Sequence, residues 1–283
     1  INLSYNLVDD YGVDILSKNL HWETLRTLNI AYNQIGNKGF QILSNIKACK
    51  NLRSLNLENN MIFEAESFAE FLKNNVWYEL EVLNLGLIEM SAHGAHLLAQ
   101  NSIWENLKFL DLSSNGLGAE GAEGISENTT WKSLETLILY DNSIGGAGAL
   151  AVAKNKTWRS LKRLELTLNA IDDDGGEAIA MNTAWKNLEI LRLDNNYLGL
   201  KTALALANSV VRDNLRVLQL DANELGGEGG AAIGGNTTWK RLEELRLSSC
   251  LIGDKGAIAI ANLKILDLSM NNINAEGGAA LGN

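Results

Sequence analysis

The sequence predicts an α/β solenoid, in which short parallel strands form one side of a repeated unit and helices form the other. Three observations predict it. The seven tryptophans, Trp22, Trp77, Trp104, Trp131, Trp158, Trp185 and Trp239, each stand three residues before a leucine that opens the pattern L-x-x-L-x-L-x-x-N-x-I/L. The opening leucines, Leu25, Leu52, Leu80, Leu107, Leu134, Leu161, Leu188, Leu215, Leu242 and Leu263, recur mostly every 27 residues, and a partial copy runs from Ile1 through Leu3 and Asn6. No proline and no low-complexity stretch interrupts the period, so residues 1–283 are expected to form a single solenoid of about 11 repeats, partial at both ends.

One full unit, Leu134–Ser160, shows how each element arises. Leu137 and Leu139 alternate, which puts both on one face of a short strand. Asn142 follows where the strand must turn toward the helix. A buried amide donates and accepts at once, so the series Asn6, Asn33, Asn60, Asn115, Asn142, Asn169, Asn196, Asn223 and Asn271 reads as a ladder satisfying backbone groups of successive turns. Gly145 suits the turn before the helix and Gly148 its first turn, where a missing side chain lets the helix lie close to the strand layer. Ala149 and Val152 give that helix a narrow apolar stripe. The shared phase of the tryptophans implies a buried stack beneath the return to the next strand. Strands need about 4.8 Å each and helices about 10 Å, so the array is expected to bend into a horseshoe with the parallel sheet on its concave face and the helices on its convex face.

This pattern resembles the leucine-rich repeat. Its second half, I-G-x-x-G-A-x-A-I/L-A-x-N-x-T-W, is similar to the long repeats of the ribonuclease-inhibitor-like subfamily, in which each strand is answered by a true helix. The run Gly148-Ala149-Leu150-Ala151 also resembles the Gly-Ala-Leu-Ala repeats of certain bacterial effectors delivered into plant cells. The resemblance covers the whole chain and implies the fold. It implies little about function, because the repeat serves many partners.

Chemistry is hard to find in this sequence. A net charge of −10 argues against nucleic acid, which needs a basic face to neutralise phosphates. No apolar run is long enough to cross a membrane. No glycine-rich loop stands apart from the others, which argues against a nucleotide site, and no cofactor is expected. Cys49 and Cys250 lie about seven repeats apart in different phases, too far to pair, and read as small buried fillers. That usage points to a reducing compartment or a bacterial protein, cytoplasmic or secreted, over a disulfide-rich extracellular one. The sequons at Asn128, Asn155 and Asn236 are by-products of the repeat. His93 and His96 share a predicted helix face but gain no third ligand, and both are read as solvent-side residues; His21 sits beside Trp22 in a structural turn. No signal peptide is visible, and because the chain starts and stops inside repeats it reads as a fragment without end caps.

Function is then expected on strand residues that face the cavity and break the repeat. Ile138, Tyr140 and Leu168 form an apolar group mid-arc, flanked by Asp141, Glu165, Arg192 and Asp194, with Tyr32 and Asp221 on neighbouring strands. An apolar anchor ringed by charge is the anatomy of a protein-binding patch. Acids outnumber bases in these columns, so a basic or mixed-charge protein is the expected partner. The function read from this is a non-catalytic scaffold that binds a protein through its sheet. The alternative is the substrate-recognition part of a larger effector or ubiquitin-ligase-type protein whose catalytic or adaptor domain lies elsewhere.

Two units break the period. Leu52 and Leu80 are 28 residues apart, and Ile88 stands where a ladder Asn belongs, so lost amide bonds and distorted packing are expected near Ile88 and Glu89. Leu242 and Leu263 are only 21 apart, the missing piece being x-N-x-T-W-x, and a lost six-residue loop is expected between Ala261 and Asn262 in place of a collapsed turn.

Overall fold

From Leu28 to Leu245, each L-x-L segment forms a three-residue strand whose central leucine is buried, because alternation sends its neighbours to the opposite face. The computed structural model describes residues 1–18, 20–61, 64–74, 76–209, 213–261 and 266–282, and they fold as an α/β repeat solenoid in two compact units. The first unit is Ile1–Asn142 with Thr157–Ser160, and the second is Ser143–Lys156 with Leu161–Asn283.

In the first unit, helices α1 (Asp10–Ser17), α2 (Asn37–Ser44), α3 (Ala65–Asn74), α4 (Ser91–Ala99) and α5 (Gly118–Ser126) alternate with strands β1 (Thr27–Asn29), β2 (Ser54–Asn56), β3 (Val82–Asn84), β4 (Phe109–Asp111) and β5 (Thr136–Ile138). The strands are parallel and paired in chain order, with Leu28, Leu55, Leu83, Leu110 and Leu137 in one register line. The second unit repeats the scheme with helices α6 (Gly145–Lys154), α7 (Asp173–Met181), α8 (Leu200–Asn208), α9 (Gly226–Gly234), α10 (Gly253–Ile260) and α11 (Ala275–Leu281). Its strands are β6 (Arg163–Glu165), β7 (Ile190–Arg192), β8 (Val217–Gln219), β9 (Glu244–Arg246) and β10 (Leu266–Asp267). They too are parallel and in register, Leu164 through Leu191, Leu218 and Leu245 to Leu266.

The core of each unit lies between its strands and helices. All seven tryptophans are buried, and Trp104, Trp131, Trp158 and Trp185 expose no surface. Glycine sets how near neighbouring helices come: a Cβ on Gly175 of α7 would stand 2.8 Å from Cα of Gly146 in α6, closer than packed carbon atoms tolerate.

The expected asparagine ladder is present within both units. Asn196 is representative: its Oδ1 accepts from the backbone N–H of Asn169 (3.1 Å) and Ile171 (2.9 Å), and its Nδ2 donates to the carbonyls of Leu166, Leu193 and Asp194. Ile88 is fully buried in the ladder position and brings no amide of its own. Its turn is nonetheless a regular one. Asn115 of the next repeat accepts from the N–H groups of Ile88 and Met90 at 3.1 Å. The left-handed residues Leu87, Glu89 and Ser91 reappear at Ser114, Gly116 and Gly118. The expected distortion is therefore corrected to a lost amide within a backbone path used elsewhere. Cys250 fills another ladder position, its Sγ donating to the Leu220 carbonyl at 3.0 Å.

A second ladder, not anticipated from the sequence, explains the N-x-T-W segment. Asn128, Asn182 and Asn236 each donate Nδ2 to a carbonyl at the end of a preceding helix, Ala99, Ala153 and Ala207. Their Oδ1 atoms accept from the N–H of Trp131, Trp185 and Trp239 at 3.0–3.1 Å. The sequon residues Asn128 and Asn236 thus spend their amides on the backbone. The shortened unit lacks this segment, and its Ala261–Asn262 junction lies outside the described residues, as does Leu263.

Three helices borrow their N-cap from the repeat before. Gly36, Gly199 and Asn274 precede α2, α8 and α11 without a side-chain cap of their own. Asp10, Asp173 and Asp254 supply it from the preceding helix's first turn; Asp173 accepts from the N–H groups of Gly199 (2.9 Å), Lys201 (3.0 Å) and Thr202 (2.7 Å). Partial burial pushes the Asp173 pKa up, but these bonds, first among them Thr202's, outweigh it and hold the carboxyl below its ordinary value. A depressed folded-state pKa contributes stability that is complete above the unfolded value of about 3.9 and is lost as pH falls through the folded value. Asp173→Ala is expected to lower stability by about 0.5–2 kcal/mol at neutral pH. In urea melts from pH 7 down to pH 3, its deficit against wild type should shrink once the pH passes below about 4; a deficit constant with pH would assign the effect to packing.

Candidate functional site

The residue just past each strand adopts left-handed backbone angles. Tyr5, Tyr32, Asn59, Leu87, Ser114 and Asp141 do so in the first unit, and Leu168, Asn195, Ala222, Ser249 and Met270 in the second, with φ of 51–58°. Glycine adopts this conformation most easily, at a saving of roughly 1–2 kcal/mol over other residues. Yet none of these positions holds glycine, so each repeat keeps a side chain where the backbone alone would favour losing it. The surface so displayed is the strand face, formed by these residues together with those flanking each strand's central leucine.

Of the patch expected from sequence, Tyr32, Ile138, Tyr140 and Asp141 belong to the first unit, and Glu165, Leu168, Arg192, Asp194 and Asp221 to the second. In the first unit Ile138 and Tyr140 are half-buried, and exposed Asp141 accepts from the Ser114 hydroxyl at 3.0 Å. Tyr32 sits on the repeat of β1, apart from them. Its ring stacks on Tyr5 with centroids 4.3 Å apart, and its hydroxyl donates to Glu58 at 2.9 Å. That hydrogen bond, then burial, pushes the Tyr32 pKa up to about 12.

In the second unit the structure brings the charged candidates together. Arg192 Nη1 lies 3.2 Å from Glu165 Oε1. Asp194 is only 8% exposed, and its oxygens accept from the Asp221 N–H (2.9 Å) and the Thr167 hydroxyl (3.3 Å). Burial raises its pKa, opposed by the Asp221 N–H bond and reinforced by the Asp221 charge. Asp221 in turn accepts from the Ser248 N–H and from Arg246 Nε, both at 2.7 Å. Asp194 and Asp221 therefore support the ends of neighbouring strands. Leu168 remains 41% exposed.

Sequence reasoning missed Arg163, which donates to Glu165 at 2.6 Å. The strand's period of two was a sufficient signal, since Arg163 and Glu165 flank Leu164 and share a face. It also missed the Tyr5–Tyr32 stack, which needed the in-register pairing of adjacent repeats.

Both cysteines are buried, which pushes each thiol up to about 12. His93 is exposed, but His96 is half-buried against Gly124 of α5, a correction to its placement on the solvent side. The His21 side chain lies outside the described residues. Among the described residues no three His, Cys, Asp or Glu side chains gather as a metal site, and no helix is long and apolar enough to cross a membrane. A cleft of about 440 Å³ between α7 and α8 is lined by Met181, Leu204 and Ala205, and its charged lining residues, Glu177 and Lys201, are joined to each other in an ion pair at 2.9 Å.

Comparison with known proteins agrees with this architecture. No curated protein matches the chain. Among solved structures, one similar chain is the leucine-rich-repeat ectodomain of the Arabidopsis thaliana membrane receptor kinase GASSHO1/SCHENGEN3, in complex with CASPARIAN STRIP INTEGRITY FACTOR 2. It is 18% identical with a TM-score of 0.41, over 89% of this chain and 36% of that one, so the present chain spans about a third of that ectodomain. Another comes from the Rad7 and Elc1 complex in yeast, 14% identical with a TM-score of 0.46, over 97% of this chain and 76% of that one. Neither likeness carries a functional argument. The family model described as Leucine Rich repeat matches residues 23–41, 105–126, 132–153, 159–180, 214–234, 241–261 and 262–282, just over half of the chain. With the strand, ladder and helix of the repeat all in place, the chain belongs to the leucine-rich repeat family.

Proposed function

We propose that the chain is a non-catalytic recognition scaffold that binds another protein through its strand face, with residues 1–283 acting as one recognition domain. The observation that carries this reading is the division of labour along each repeat. The strand leucines from Leu28 to Leu245, the tryptophans and the ladder asparagines from Asn33 to Asn271 are buried, while most positions that vary between repeats on the strand face keep accessible surface, with exceptions such as Ala31 and Asp194. A rigid layer displaying non-repeating side chains suits recognition of one particular surface. Ile138, Tyr140 and Leu168 supply apolar contacts, and Tyr32, Asp141, Glu165, Arg192, Asp194 and Asp221 the polar surround for a basic or mixed-charge partner. Within the family, strands that alternate with true helices favour the ribonuclease-inhibitor-like subfamily, and the run Gly148-Ala149-Leu150-Ala151 favours kinship with the bacterial Gly-Ala-Leu-Ala proteins. That kinship favours, as the second reading, the substrate-recognition part of a larger effector or ubiquitin-ligase-type protein.

Affinity capture with the full chain as bait, followed by titration of the captured protein, tests the assignment. Tyr140→Ala is expected to weaken binding by about 1–3 kcal/mol with the melting temperature nearly unchanged. Unaltered affinity in the Tyr140→Ala, Leu168→Ala double variant would move the site off the strand face.

A further inference from the structure

Glu165 is held between two guanidinium groups. Arg163, two residues before it on β6, places Nε at 3.1 Å and Nη2 at 2.6 Å from Oε2. Arg192, its register partner on β7, places Nη1 at 3.2 Å from Oε1. One carboxylate thus serves two guanidiniums. It leaves a donor over: the Nε–H of Arg192 is shut off from solvent and has no acceptor.

A charged donor buried without an acceptor is costly, which favours any ligand able to supply one. The nearby acids do not. Asp194 is spent on the Asp221 N–H and Thr167, and Asp221 on the Ser248 N–H and Arg246. At β6 and β7 two guanidiniums therefore share the one carboxylate hydrogen-bonded to them, within a chain of net charge −10. The pair is reachable at its exposed edge, though the Arg192 Nε–H itself is covered: the side chains of Arg163 and Arg192 keep 32% and 33% of their surface exposed while Glu165 keeps 13%.

We propose that Arg163 and Arg192 form an anchor for a carboxylate side chain, Asp or Glu, on an acidic segment of the bound protein, with Glu165 orienting the pair until that segment arrives. A guanidinium presents a planar fork of donors matched to a carboxylate, which a second acid can share with Glu165. Nucleic-acid phosphate offers the same oxyanion chemistry, but two guanidiniums are too few to neutralise a run of backbone phosphates. The proposal rests on the strand face being the recognition surface and names one chemical feature of what it recognises.

The test uses the full chain, a fluorescein-labelled hexaglutamate peptide followed by anisotropy at low salt, and an NMR titration of the arginine Nε–H signals with the same peptide. Saturable binding is expected, with the Arg192 Nε–H signal shifting in step. Arg163→Gln and Arg192→Gln should each weaken it roughly tenfold. Glu165→Gln, which removes the competing carboxylate, should tighten it. Arg246→Gln should leave it unchanged, because that guanidinium is already matched by Asp221 and Asp267. Absence of saturable binding, an unmoved Arg192 signal in the wild-type chain, or equal affinity for wild type, Arg192→Gln and Glu165→Gln would overturn the anchor. The NMR titration is read on the wild-type chain and so does not depend on how the variants fold. If the anchor fails while Tyr140→Ala still weakens the captured partner, the strand-face reading survives without it. If hexaglutamate behaves as expected while the captured partner ignores Tyr140→Ala and Leu168→Ala, the anchor stands and the apolar part of the strand-face reading falls.

Discussion

Trp131→Ala is expected to destabilise the protein by about 3–5 kcal/mol, the range for removing a large side chain from a packed interior. Trp131 exposes no surface, and its backbone N–H is tied to Asn128 Oδ1 at 3.0 Å, so neither ring nor backbone is free to move into the space left behind. Trp131→Phe should cost far less, about 1–2 kcal/mol, for a reason specific to this site. The indole Nε1 of Trp131 is buried without a hydrogen-bond acceptor, so phenylalanine gives up some packing but also removes an unsatisfied donor. Urea denaturation of the two variants measures the difference. Equal losses would mean that the indole nitrogen has an acceptor in solution and that the stack is more than apolar filling.

Asn196→Leu, a change that nearly preserves volume, is expected to cost about 3–5 kcal/mol although it adds apolar surface to a buried site. Asn196 is 4% exposed and makes five hydrogen bonds to main-chain groups of two repeats. Leucine can replace none of them, and the N–H of Ile171 would lose its acceptor inside the second unit. Ile88 does not argue otherwise, because the N–H groups of its own turn are met by Asn115 of the following repeat. A loss below about 1 kcal/mol, less than one unsatisfied buried group, would show that the turn re-forms around the substitution. Breakdown should begin locally, since each repeat is held mainly by its neighbours.

The anchor at Arg163 and Arg192 lies where residue-by-residue reading of this chain reaches its limit. Arg163 was visible as a strand residue, and its face followed from alternation. What alternation could not provide was pairing across repeats. Asp194 and Asp221 look like surface acids in one dimension, whereas their oxygens accept strand-end N–H groups at 2.9 Å and 2.7 Å. Counting acids against bases therefore could not tell which carboxylates are open to a partner, since these two answer the backbone and Arg246 first.

The repeat, the strand and helix of each unit, the buried tryptophans and the first asparagine ladder are all legible in one dimension. These follow from local periodicity: alternation decides the strand, a narrow apolar stripe decides the helix, and one 27-residue phase brings equivalent residues into register. It took the stacking of repeats to reveal that N-x-T-W carries a second ladder and that Asp173 caps the helix of the next repeat. It alone showed Tyr32 stacking on Tyr5, and Arg192 sharing Glu165 while keeping a donor unmet. Each of these depends on which hydrogen-bonding groups of one repeat lie within about 3 Å of the next, a distance set by stacking and absent from any single period of the chain.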